Sequence, residues 1–179
     1  MTVRRLPLLA GLLAAVLGAF LIGRESSPAP LAAADPRERT DHPRAGRHAA
    51  RGLVIVRSTF SAEETADRLK QAATQGGATV AADIDHAAAA AGAGLELRPT
   101  RVLLIGNPRA GTPLMQASQT TGIDLPLKFL IYEDAGGQVR LAYNSARYLK
   151  HRHRIRGQDE LLKTIENNQR KLAAAATEG

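Results

Sequence analysis

The chain has no cysteine and no tryptophan, and aromatic residues fill only 3% of its 179 positions. Without cysteine there is no disulfide, no thiol redox chemistry, no thiolate nucleophile and no lipid attachment through sulfur. An exported domain lacking disulfides relies on core burial and on oligomerisation for its stability. With so few rings, the core must come from the Leu, Val, Ile and Ala that dominate the 44% hydrophobic content. No basic helix interleaved with aromatics is present, so nucleic acid is not an expected partner despite a formal charge of +7. That charge favours contact with small anions or acidic surfaces.

Familiar catalytic signatures are missing as well. No G-x-S-x-G elbow exists, and Ser58, Ser118 and Ser145 lie in no hydrolase motif. Asp124 and Glu133 read as ordinary strand-end acids, not as a glycosidase pair. Gly106 to Thr112 (GNPRAGT) has the outline of a phosphate loop but lacks its lysine, and Pro108 removes an amide that would cradle phosphate. Nucleotide hydrolysis is therefore not expected, and neither is a cofactor.

What is present begins with the N-terminus. Arg4 and Arg5 precede an uncharged apolar stretch from Leu6 to Gly23, and a Ser/Pro/Ala segment ends in Ala32-Ala33-Ala34. Residues 1–34 read as a signal peptide cleaved before Asp35, with an uncleaved anchor as the other reading. Both place the domain outside the cytoplasm, in the periplasm or anchored to the outer face of the inner membrane. A membrane would be touched only through an uncleaved segment. Residues 35–51 mix charges of both signs with Pro and Gly and show no apolar period, which marks a disordered linker.

From residue 52 onward the periodicities predict structure. Leu53–Val56 is a β-branched strand. Ser61 and Glu64 form a capping box, and Ala62, Ala66, Leu69 and Ala73 line one face of the helix behind it. Glu64 and Arg68 are spaced for an i,i+4 pair, and Gly76-Gly77 stop the helix. Residues 78–84 are a second strand, and 87–94 an Ala-rich segment. Val102–Ile105 is a continuous apolar strand, a pattern expected when both faces are buried. A short helix is expected from about Thr112 to Gly122. Two strands follow, around Leu127–Tyr132 and Val139–Tyr143, joined by the Asp134–Gly137 turn. A last helix runs from about Gln158 to Ala174. The predicted fold is α+β, a two-layer sandwich in which β-α-β and β-α-β-β units share one sheet, with helices on one face and a C-terminal helix.

Several of these segments together carry a resemblance. Gly106-Asn107-Pro108 after an apolar strand, Asp124-Leu125-Pro126 before the next, Glu133-Asp134, Asp85-His86 and an Arg-His pair near the last strand are similar to the domain of unknown function 302 family. The resemblance covers residues 52–156 and leaves 157–179 outside as a C-terminal helix and tail. It implies an α+β fold that tends to form homodimers, and it implies no activity.

Two candidate sites follow. Asn107, Arg109 and Thr112, with helix-start amides, have the chemistry to hold a small anion. The alternative for that segment is a tight turn followed by a helix cap. His86, flanked by Asp83 and Asp85, would form a metal-dependent or acid–base site if the fold brought it to His151 or His153, which share a face if they lie on a strand. The reading favoured by the sequence is an exported binding module for a small anion or a partner, without catalysis. The alternative is an enzyme centred on His86 with His151 or His153.

Overall fold

The computed structural model describes residues 52–179. Strands β1 (Leu53–Arg57), β2 (Thr79–Asp85), β3 (Thr100–Gly106), β4 (Leu127–Glu133) and β5 (Val139–Asn144) form one sheet in the order β1-β5-β4-β3-β2. All four pairings are antiparallel. Helices α1 (Ala62–Gln75), α2 (His86–Gly92), α3 (Pro108–Ala117), α4 (Ala146–His153) and α5 (Asp159–Thr177) complete the domain. A short 3-10 turn, Gln119–Ile123, links α3 to β4. The architecture is the expected α+β one, with helices packed on the sheet.

The core is built where period-two strands meet period-3.6 helices. Leu103 and Ile105, Phe129 and Ile131, and Leu141 and Tyr143 point to one face of the sheet, against Ala66, Leu69 and Ala73 of α1 and Ala173 and Ala176 of α5. Phe129 and Tyr143 set their rings 5.3 Å apart, so two of the few aromatics are spent at the centre. A smaller cluster joins Leu114, Ala146, Ile155, Leu162 and Ile165. The C-terminal helix, expected outside the domain, is thus part of its core.

Three other expectations change. Ser61 accepts from the Glu64 amide at 3.1 Å, as a cap should, but Arg68 stacks over Phe60 at 4.0 Å and donates to the Glu178 carbonyl instead of pairing with Glu64. The helix expected to start at Thr112 starts at Pro108, because Asn107 caps it and proline suits the first turn. The β3 strand is buried on one face only. Leu103 and Ile105 are buried, while Val102 and Leu104 are half-exposed on a face that α1 and α5 leave open.

That open face carries one apolar row, flanked by Arg57, Arg140, Lys128 and Asn144. Register places Ile55 opposite Ala142, Ala142 opposite Leu130, Leu130 opposite Val102 and Val102 opposite Ile84, an aliphatic row crossing all five strands. Its two ends are the most accessible, with Ile55 at 39% and Ile84 at 42%.

Candidate functional site

The Gly-Asn-Pro turn at the end of β3 is held by its own backbone. Asn107 is extended and its Oδ1 accepts from the Arg109 amide at 2.9 Å. The Asn107 carbonyl accepts from the Ala110 and Gly111 amides at 3.0 and 2.9 Å, and Pro108 has no amide to offer. The first-turn donors that would grip an anion are therefore already engaged. Asn107 Nδ2 also donates to the Gly77 carbonyl at 3.3 Å, tying the turn to the loop after α1. Arg109 and Thr112 are exposed, and Thr112 lies inside α3 instead of capping it.

The histidines go to three different places. Thr79 pairs with Gly106 at one end of the sheet and Asp85 with Arg101 at the other. Six residues of strand at about 3.3 Å each put roughly 20 Å between those ends. His86 follows Asp85 and opens α2, exposed, while Asp85 caps that helix by accepting from the Ala88 amide at 2.9 Å. Pro126, beside Asp124, packs against Gly106, so the surroundings of His153 belong to the far end of the sheet. His151 and His153 sit on α4, not on a strand. Two helical positions two apart diverge, and accordingly His151 is exposed and His153 buried. The convergence of His86 with His151 or His153 is thus overturned by strand length and helix geometry. Among the described residues no group of three or more His, Asp or Glu is placed to hold a metal ion.

What the fold does assemble is a cluster that sequence reasoning missed. The His153 side chain is 4% exposed and both ring nitrogens are engaged. Nε2 meets Asp124 Oδ2 at 2.6 Å, and Nδ1 meets Thr120 Oγ1 at 3.1 Å. Arg152 Nε lies 3.2 Å from the same Asp124 oxygen. The Arg152 guanidinium is held more firmly charged by the Tyr148 hydroxyl beside it and by Asp124. A hydroxyl, an imidazole and a carboxylate in a row have the composition of an acyl-transfer triad. Here the ring is enclosed and saturated, so the row works as a connector that fastens α4 to the 3-10 turn. The one sequence signal was the co-occurrence of Asp124-Leu125-Pro126 with Arg152-His153, two fragments with no spacing rule between them.

This geometry joins the very segments that carried the resemblance: Pro126 on Gly106, and His153 on Asp124. A model of the "Domain of unknown function DUF302" family matches residues 54–176, most of the described domain. The chain belongs to the DUF302 family. The match extends through α5, consistent with the place of that helix in the core. A crystal structure of an uncharacterized conserved DUF302 protein from Bacillus stearothermophilus superposes with a TM-score of 0.64 at 20% identity, covering 71% of this chain and 99% of that one. That likeness shows the fold.

Relatives by sequence carry another name. The Fluoride-specific ion channel FluC 1 of Brucella suis biovar 1 (strain 1330) is 43% identical over 104 residues, 58% of this chain and 41% of that protein. The Fluoride-specific ion channel FluC 2 of Brucella melitensis biotype 1 gives the same identity over 38% of its length. The chain therefore spans about two fifths of the relatives it matches.

Proposed function

We propose that this DUF302 domain is an exported, non-catalytic interaction module whose contact surface is the open sheet face and whose first partner is a second copy of itself. The observation that carries the reading is the Ile55–Ala142–Leu130–Val102–Ile84 row on the face away from α1 and α5, in which Ile55 and Ile84 are exposed, Leu130 and Val102 half-buried and Ala142 alone is buried. Two such faces, packed sheet on sheet about 10 Å apart, would bury the aliphatic row of each copy. Burial of that second face is also what the unbroken apolar pattern of Val102–Ile105 calls for. Anion binding at Asn107, Arg109 and Thr112 is the weaker half of the expectation, because the amides of that turn are satisfied internally.

Export rests on the N-terminal residues 1–34, which lie outside the described residues. The fluoride channel activity is named for the Brucella proteins, of which this chain spans about two fifths. A pore through lipid needs spanning helices or a closed barrel. The described domain is an open sheet with edges at β1 and β2, and no helix among its residues is long and apolar enough to cross a membrane.

Light scattering on residues 52–179 tests the reading. A dimer mass is expected for the native sequence, and a monomer mass with unchanged circular dichroism for Ile55→Asp combined with Leu130→Asp. A monomer for the native sequence at tens of micromolar overturns it.

A further inference from the structure

The charge of the domain is concentrated in one place. Residues 52–179 hold sixteen Lys and Arg against thirteen Asp and Glu. Five of those cations and no acid fall between Arg147 and Arg156, so the rest of the domain is net negative. The fold turns this run outward. Ala146, Leu149 and His153 form the buried side of α4, which leaves Arg147, His151, Arg152, Arg154 and Arg156 exposed. The helix dipole accounts for cations in the last turn of α4. It does not account for Arg147 near the start, nor for Arg156 beyond the end.

Beside the run, between α4 and α5, lies a shallow groove of about 310 Å³ lined by Arg147, Lys150, His151 and Lys163. The two acids in it are already matched, Asp159 by Lys150 and Glu166 by Arg170 at 3.5 Å. Arg147, His151 and Lys163 enter no ion pair within the domain. The groove thus offers net positive charge in a space suited to a phosphodiester.

We infer that the α4 face, from Arg147 to Arg156 with Lys163, is an electrostatic docking surface for a membrane rich in anionic phospholipid. Charge complementarity selects an anionic partner. The apolar stretch Leu6–Gly23 selects a membrane among anionic partners, since it brings the chain to a bilayer whether it is cleaved or retained. Surface cations contribute without burying apolar area, so the binding is reversible and screened by salt within a Debye length of ~8–10 Å. The inference stands on α4 and is independent of the open sheet face. A failure of one leaves the other in place.

The test uses residues 52–179, which contain every residue of both core clusters. Cosedimentation compares vesicles of phosphatidylcholine alone with an equal mixture of phosphatidylcholine and phosphatidylglycerol. Binding is expected to the mixture only, and to weaken steeply with salt. Each cation near such a surface is worth about 1 kcal/mol, or roughly fivefold, so replacing three of them lowers the affinity by at least about 100-fold. The triple variant Arg147→Glu, Arg154→Glu, Arg156→Glu should show that loss. Arg98→Glu, Arg109→Glu, Lys171→Glu, with the same net charge, should show much less. Should the first variant misfold by circular dichroism, Arg147→Ala with Arg156→Ala serves, with about a 25-fold loss expected. Equal losses in the two triple variants overturn the inference, as does absent or lipid-independent binding. So does displacement by inorganic phosphate at constant ionic strength, which marks a small-anion site. Displacement by polyglutamate at that ionic strength, which marks an acidic protein partner, overturns it too.

Discussion

Gly106 lies against Pro126 so closely that a Cβ added at position 106 would stand 3.1 Å from the proline Cβ. The contact locks the turn after β3 to the turn before β4. It also explains in packing terms why a residue without a side chain ends the β3 strand and a proline opens the approach to β4.

Gly106→Ala tests that lock. Alanine lowers the entropy of the unfolded chain, a gain of about 0.4–1 kcal/mol. Overpacking against Pro126 costs about 1–3 kcal/mol, so a net loss near 1 kcal/mol is expected. Urea denaturation of the two proteins reads it directly. An unchanged or raised midpoint means that the two turns shift apart freely and are not locked.

The His153–Asp124 bond is expected to be one of the stronger polar links in the domain, because it is enclosed and one partner is a carboxylate. A double-mutant cycle with His153→Ala and Asp124→Asn should return a coupling of about 1–2 kcal/mol. Additive losses would show that Thr120 and Arg152 hold the two elements together without it.

Asp83 gives a prediction in pH. Its carboxyl accepts from Arg101, and that bond holds it below the usual carboxylate range, opposed by partial burial and aided by Lys70. A pKa depressed in the folded state means stability that is present above the unfolded value near 3.9 and lost as pH falls through the folded one. Asp83→Asn should therefore flatten the acid limb of a plot of stability against pH below about pH 5, and lower stability at neutral pH by about 1 kcal/mol or less. Parallel acid limbs for the two proteins would assign the acid sensitivity to other carboxylates.

Much of the architecture was legible where apolar spacing is regular. Leu69 and Ala73 on α1, Phe129 and Ile131 on β4 and Leu141 and Tyr143 on β5 all face the core as their periods require. The α4 helix was not legible, because its inward side holds only Ala146, Leu149 and His153 amid cations, too weak a stripe to read. The α2 segment is nearly all alanine and has no buried residue, so no period could mark it as a helix. The His153 cluster was hidden for a different reason. Its partners lie 29 and 33 residues upstream, and only tertiary structure brings them within hydrogen-bond reach. The pattern of Val102–Ile105 asked for two buried faces and the domain buries one, because an unbroken apolar run does not distinguish a strand covered on both sides from one whose second face carries half-exposed aliphatic residues.

The pairing of β1 with β5 carries a consequence in time. Leu53 aligns with Asn144, about ninety residues later, whereas β2 to β5 pair each with the next in sequence. Closing so long a loop is the costliest ordering step in the sheet, and distant pairings form late. The β2–β5 meander is complete without the first strand, which stays outside the sheet until the last strand exists to receive it. A chain that crosses a membrane N-terminus first would then emerge with its opening strand still unpaired, and the fold would close only on the far side.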